Sequence, residues 1–426
     1  MIAVLLSGLL MAAGPAASGT IAIVHAKAYA VTAAAPVIDA TIVMNHGKIA
    51  SVISHGTPPA DAEIVDAAGH VVTPGLVNAA TQLGLTEVLG ATDTDDQAVT
   101  SGPLGPAFDI RYAINPNSVL IPVARADGVT RAMVLPDGAA TIPFSGQAAL
   151  IRLVAGDDLL ERAEAAMVAT IGDTTAGKAG GSRAAQWVLL RNALSEARRF
   201  AGMAAGNGPR DQLLNRPDSV ALQPVINGTM PLALKVDRES DIREAIRLAT
   251  DAHVRVVIVG GAEAWRAADA LAGAHIPVVL DPEADLPQTF DSLGARLDNA
   301  AILARAGVAI AFYTSGNGIY LSYDAGLDLR EGAGIAVANG LPYGAALRAI
   351  TAGAAAIWGE PANTGTLAPG ADADLVIWDG DPLEPSSAPL AVFVGGRRMP
   401  LTTRLTKLRD RYAPAHAADP LPATYR

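Results

Sequence analysis

Ile64-Val65-Asp66-Ala67-Ala68-Gly69-His70-Val71-Val72-Thr73-Pro74-Gly75-Leu76-Val77-Asn78 marks the point at which this chain changes texture. Before it, from Thr20 to Val72, short β-rich runs follow one another: Ile21-Ala22-Ile23-Val24, Ala40-Thr41-Ile42-Val43-Met44 and Ile49-Ala50-Ser51-Val52-Ile53. Asn45-His46-Gly47-Lys48 separates the last two with turn chemistry and predicts a hairpin. After it, apolar strands alternate with amphipathic helices, the pattern of βαβ units. Strand candidates are Val71 to Val77, Thr130 to Leu135, Leu150 to Val154, Ala166 to Ile171, Pro231 to Val236, Val254 to Val259, Ile276 to Leu280 and Val308 to Phe312. Helical spacing runs over Ser182 to Arg199, Arg243 to Ala252, Ala262 to Gly273 and Ser292 to Gly307, with Gly273 and Gly307 as stops. Asp237-Arg238-Glu239-Ser240-Asp241 reads as a loop entering a helix, with Ser240 or Asp241 as N-cap. This alternation suits a doubly wound sheet as well as a barrel.

From Gly370 to Met399 the β texture returns in Ala373-Asp374-Leu375-Val376-Ile377-Trp378 and Leu390-Ala391-Val392-Phe393-Val394, closed by Gly395-Gly396-Arg397. Two distant β segments that flank one α/β block predict a small sandwich with the larger domain inserted into it.

Composition narrows the partners. The chain has 426 residues, half of them apolar and only 4% aromatic, so its core is built from small and branched side chains. A net charge of −11 leaves no basic stripe for phosphates and excludes nucleic acid as the expected partner. Cysteine is absent, which removes disulfides, thiolate nucleophiles and Cys-ligated metal. Met1 to Ala13 is apolar and runs into the small-residue stretch Gly14-Pro15-Ala16-Ala17-Ser18-Gly19, the h-region and cleavage zone of a secretory signal. Met1-Ile2-Ala3 carries no basic residue, so a buried N-terminal strand stays open beside the signal reading. The signal reading implies a periplasmic or secreted protein. No other stretch is long and apolar enough to be a transmembrane segment.

Three segments carry a resemblance to the amidohydrolase superfamily. The opening stretch is similar to the family's entry into its first barrel strand. Ala345-Ala346-Leu347-Arg348-Ala349-Ile350-Thr351, leading to Gly365-Thr366-Leu367-Ala368-Pro369-Gly370-Ala371-Asp372-Ala373-Asp374-Leu375-Val376, resembles its return into the sandwich. Val259-Gly260-Gly261-Ala262-Glu263-Ala264-Trp265 resembles the imidazolonepropionase-related branch more narrowly. The resemblance implies an α/β chain in which a (β/α)8 TIM barrel is inserted into a small composite β-sandwich. It divides the sequence into a signal peptide over 1–18, a composite sandwich over 19–72 and 365–404, a barrel over 73–364, and a tail over 405–426. It also implies hydrolysis of C–N bonds in amides, cyclic amides or dipeptide-like substrates, with zinc or another divalent metal polarising the carbonyl and lowering the pKa of a bound water.

The family's ligands are an H-x-H pair after the first strand, histidines after the fifth and sixth, and an Asp after the eighth. Here the pair falls in Asn78-Ala79-Ala80-Thr81-Gln82, which offers a methyl and a carboxamide. The single histidines fall at Lys235 and Gly260, and the Asp at Ser315. None of these is an imidazole or carboxylate, so no metal ligand is assigned and no resident cofactor is expected. His253 and His275 directly precede strands, which places them at the N-terminal face of a barrel, which serves stability rather than catalysis.

Polar groups remain at the expected strand ends. Lys235, Asp237, Glu263 and Ser315 are the catalytic candidates, and Asn78, Gln82, Asp281 and Asn317 the binding candidates. A desolvated Lys235 could act as nucleophile or base; the blander alternative pairs it with Asp237, Glu263 or Asp281. No histidine stands near Ser315 to serve it as a base, and a capping hydroxyl is its structural alternative. Three functions therefore stay open: a C–N hydrolase with a non-standard site, a pseudoenzyme binding a small molecule or peptide in the barrel mouth, and a homo-oligomeric or partner subunit of a related amidohydrolase.

Overall fold

The opening stretch crosses from one sheet into another. The computed structural model describes residues 19–413 apart from 89–90, 92–93, 100, 139–141, 201–211, 288 and 315–323. The first sheet begins with β1 (Ile21–Ala28), β2 (Val37–Asn45), β3 (Lys48–Ser54), β4 (Glu63–Asp66) and β5 (Val71–Pro74). The β2–β3 turn has the expected chemistry: His46 and Gly47 both take positive φ, +48° and +74°, as a tight hairpin with primed geometry requires.

The predicted strand Val71 to Val77 is two strands. The chain leaves β5 at Pro74 and enters β6 (Leu76–Thr81) of a second sheet. Gly75 makes the crossing possible. Its N–H donates to the Asp374 carbonyl at 2.9 Å, and a Cβ there would lie 2.2 Å from Thr130 Oγ1.

The second sheet has eight strands in chain order: β6, β7 (Val129–Val134), β8 (Phe144–Arg152), β9 (Leu160–Thr170), β10 (Leu232–Val236), β11 (Val256–Gly260), β12 (Val278–Leu280) and β13 (Ile310–Phe312). It curls into a nearly closed, barrel-like sheet within a mixed α/β fold. β6 and β13 touch without a shared ladder among the described residues. The seam is filled from the helix Ala352–Ile357 and its flanks: Val77 N–H donates to the Ile350 carbonyl at 2.8 Å, and Trp358 Nε1 donates to the Ala79 carbonyl at 2.9 Å.

Each of the eight predicted strands overlaps a strand of the structure, although Val71 to Val77 spans two sheets and Leu150 to Val154 meets only the C-terminal end of β8, and the (β/α)8 expectation fails at β8. β8 runs antiparallel to both β7 and β9. The segments between Val134 and Phe144 and between Arg152 and Leu160 are too short for a crossover, which takes a dozen or more residues. The other neighbouring pairs are parallel, with helices such as Arg183–Phe200, Glu239–Ala252 and Asn299–Arg305 between them.

The chain then returns to the first sheet through β14 (Leu375–Trp378), β15 (Pro389–Val394) and β16 (Arg397–Arg398). β14 pairs antiparallel with β5, giving the order β16-β15-β14-β5-β1-β2-β3, with β4 beside β1. The two β segments thus meet in one hydrogen-bonded sheet. A buried ionic cluster fastens that sheet to the barrel. Arg131 of β7 bonds Glu161 at 2.8 and 3.0 Å and also pairs with Asp372 and Asp374, while Arg152 of β8 reaches Asp374 at 2.6 Å. No helix among the described residues is long and apolar enough to cross a membrane.

Candidate functional site

Alternation along the barrel strands decides which side chains face inward. Leu135, Val168, Ala233, Val279 and Ala311 belong to the apolar interior cluster. Two residues further along each chain come Asp137, Thr170, Lys235, Asp281 and Tyr313, so the barrel interior ends in a polar layer at the C-terminal mouth. Asp237, the residue that follows β10, also lines the mouth.

A cavity of about 410 Å³ opens at this mouth, and Gln82, Asp137, Asp173, Lys235, Asp237 and Tyr313 are among its walls. Lys235 Nζ donates to Asp137 Oδ1 at 2.8 Å. The Lys235 charge holds the Asp137 carboxyl below the usual carboxylate range against the opposing effect of burial. Asp237 moves the other way. Burial pushes it up to about 6, the Ala262 N–H at 3.2 Å opposes this, and the charges of Asp291, Asp173 and Glu263 add to it. Burial, with the charges of Asp237, Asp281 and Asp137, also raises the Tyr313 hydroxyl well above its ordinary value.

Gln82 is the anomaly of the site. Its side chain is 1% exposed and lies close enough to Asp137 to help hold that carboxyl low, yet neither Nε2 nor Oε1 makes a hydrogen bond of ordinary geometry among the described residues. An unpaired buried amide costs roughly 1–3 kcal/mol, so such groups are rare unless something else satisfies them. Gly260 serves the neighbouring wall: its φ is +96°, and a Cβ there would lie 2.5 Å from Asp237 Oδ1.

The predicted residues separate into two groups. Lys235, Asp237 and Gln82 meet in the cavity. The partner of Lys235 is Asp137, not Asp237, Glu263 or Asp281, because β7 delivers Asp137 to the same inner layer. Glu263 is fully occupied outside the cavity, where Oε2 accepts from the Glu239 N–H and Oε1 from the Gly294 N–H, both at 2.9 Å. It therefore caps the helix Glu239–Ala252 from a distance, in place of the expected Ser240 or Asp241; Asp241 instead accepts from Trp187 Nε1 at 2.8 Å.

Asn78 is likewise enclosed, with Nδ2 donating to the Ala325 carbonyl at 2.9 Å and Oδ1 accepting from the Ala80 N–H at 3.1 Å. Asp281 accepts from the Glu283 N–H at 2.9 Å. Ser315 and Asn317 lie outside the described residues. Sequence reading passed over Asp137, Asp173 and Tyr313. Asp137 and Tyr313 carry the inward step of two from Leu135 and Ala311, which was available; Asp173 carries no such signal.

The donor set of the mouth does not fit a divalent metal. Among the described residues no histidine lines it, the Lys235 side chain stands in its wall, and Asp137 is engaged by the Lys235 ammonium. Among the described residues no three His, Asp or Glu side chains stand together as a metal site. His253 ends the helix Glu239–Ala252 in a left-handed conformation, and His275 lies just before β12, both on the face opposite the mouth. A larger cavity of about 810 Å³ opens on that opposite face. Barrel chemistry gathers at the C-terminal ends of strands, which favours the smaller cavity as the functional one.

Comparison with known proteins bears on the fold rather than on this site. The Amidohydrolase family model matches residues 320–399. Amidohydrolase tasK of Hapsidospora irregularis is 27% identical over 79% of this chain and 37% of its own, so the chain spans just over a third of that relative's length. An amidohydrolase from Thermotoga maritima MSB8 superposes with a TM-score of 0.79 at 24% identity, covering 90% of this chain and 100% of that one. Molinate hydrolase superposes with a TM-score of 0.56 at 16% identity, covering 95% and 99%. The structural likenesses speak for the fold, and the sequence matches add their support for the amidohydrolase superfamily.

Proposed function

We propose that this protein binds a small amide-bearing ligand in the barrel mouth, and that metal-dependent hydrolysis of C–N bonds, the activity its resemblance implies, has been lost with the ligand residues. The buried carboxamide of Gln82 carries this reading: it stands in the cavity wall with a donor and an acceptor that lack a hydrogen bond of ordinary geometry, and an amide edge is their complement. Lys235 stands where a histidine ligand is expected, and its ammonium already neutralises Asp137. The narrower placement beside the imidazolonepropionase-related branch rests on Val259 to Trp265 alone. The division into a composite domain over 19–72 and 365–404 and a barrel domain over 73–364 belongs to the same reading. So do the signal over 1–18, which lies outside the described residues, and a periplasmic or secreted location.

Two measurements on the full chain test it. Elemental analysis for zinc, iron, manganese and nickel should find no stoichiometric metal, and N-acetyl-L-alaninamide should bind by ligand-observed NMR, with binding lost in Gln82→Leu. Metal retained at one or two ions per chain through dialysis restores the metallohydrolase and overturns the proposal; so does binding indifferent to Gln82.

A second reading, as a homo-oligomer or as the subunit partner of a related amidohydrolase, is favoured by one observation. Leu286, Phe290 and Leu293 are 72%, 80% and 61% exposed on the segment that carries the cavity-lining Thr289 and Asp291. A stable complex that buries this segment is its expected sign in sedimentation.

A further inference from the structure

The carboxylates of the mouth are not balanced. Four of them line the cavity: Asp137, Asp173, Asp237 and Asp291. Asp137 is neutralised by Lys235, and Asp291 by Arg183. Asp173 and Asp237 have no cationic partner among the described residues, and Lys178 on the rim forms no ion pair with either. The two are close enough for the charge of Asp173 to act on Asp237. Carboxylates held together in a partly dry cavity repel, and a cation between them removes that cost. The same cavity holds the carboxamide of Gln82, which lacks a hydrogen bond of ordinary geometry, an independent sign that a ligand completes it.

We propose that the ligand is an amide that also bears a protonated amine, with the ammonium seated between Asp173 and Asp237 and the amide edge paired with Gln82. This rests on the amide-binding reading above and adds the charge of the ligand. An ammonium donates three hydrogens and accepts none, which suits two carboxylates of which Asp237 otherwise accepts from the Ala262 N–H at 3.2 Å. A carboxylate-bearing ligand is disfavoured at the same place, because the positive charge of Lys235 is already taken by Asp137. Binding should weaken as pH falls through about 6, where Asp237 takes up a proton. The groups that face Asp237 in this titration are Asp173, Asp291 and Glu263 as like charges, Lys235 as the cation two residues before it, and Tyr313, which stays neutral.

The test compares L-alaninamide, whose α-amine is largely protonated at pH 7, with N-acetyl-L-alaninamide, which is neutral, by calorimetry and ligand-observed NMR on the full chain. The charged probe should bind at least about tenfold more tightly, equivalent to 1.4 kcal/mol. Asp237→Asn should erase this preference, bringing the affinities of the two probes together, and Gln82→Leu should weaken both. Thermal melts confirm that each variant is folded, and Asp173→Asn provides a second variant should Asp237→Asn fail to fold. Equal affinity for the two probes overturns the proposal and leaves the amide reading standing. Binding of neither probe overturns both.

Discussion

Arg131 gives the sharpest test of how the barrel is held to the first sheet. Its side chain is 2% exposed, and burial works against its charge, but Asp374, Glu161 and Asp372 outweigh that penalty and hold it firmly protonated. Replacing it with Met preserves most of the volume and removes every one of those bonds. Removing one member of a buried charge cluster costs about 3–5 kcal/mol, because the partners remain desolvated and uncompensated. Here the partners are partly provided for. Asp374 keeps Arg152 at 2.6 Å and the Gly395 N–H at 2.7 Å, Asp372 keeps Lys48 at 2.7 Å, and Glu161, 26% exposed, can turn to water. Arg131→Met should therefore fall at the lower end, near about 3 kcal/mol.

The assay is urea denaturation followed by far-UV circular dichroism, with the slope compared between variants. The double change Arg131→Met with Glu161→Gln should recover part of that loss, since Glu161 has no other ion pair among the described residues. A loss under about 1 kcal/mol for the single variant would refute the reasoning, because that is the scale of an exposed pair rather than a buried one.

Three further outcomes follow from other parts of the molecule. Gly260→Ala places a methyl 2.5 Å from Asp237 Oδ1 at a residue with φ +96°, so it should cost on the order of 1–3 kcal/mol in a thermal melt and also weaken amide binding. Glu263→Ala should destabilise by about 1–3 kcal/mol through the freed Glu239 and Gly294 N–H groups while leaving probe affinity unchanged, which separates a cap from a ligand-binding group. Burial, with the charges of Asp281, Glu331 and Asp328, raises Glu283 to about 7; a carboxyl raised on folding contributes fully below its unfolded pKa, and its contribution is lost as pH climbs through the folded value. Glu283→Gln should accordingly stabilise by on the order of 2 kcal/mol more at pH 8 than at pH 4, and equal effects at the two pH values would contradict the assigned burial.

The strands were legible because each is a short apolar run bounded by breakers, and burial on both faces leaves little else that such a run can be. Direction was not legible in the same way. Phe144 to Arg152 has the same apolar character whichever way it runs, and only the brevity of its two connections marks it as antiparallel. The site divides along a similar line. Lys235 and Asp237 could be found from one strand and its alternation. The partner Asp137 could not be chosen over Asp237, Glu263 or Asp281 without knowing that β7 and β10 end in the same inner layer. Glu263 was misread because its bonds to Glu239 and Gly294 join segments whose proximity exists only in the folded barrel.

The ion pair of Lys235 and the buried carboxamide at Gln82 also constrain one another. A metal at the mouth would draw Asp137 and Asp237 as ligands and leave an ammonium beside it repelled. With the ammonium in place, Asp137 is satisfied at 2.8 Å, and the remaining demand of the cavity is a hydrogen-bonding edge for Gln82 and a positive charge for Asp173 and Asp237. Inert decay of an active site would be expected to fill such a cavity with apolar side chains or to satisfy its polar ones internally, since each unpaired buried group lowers stability. The mouth instead keeps both demands open to the same cavity of about 410 Å³, and a single amine-bearing amide meets them together.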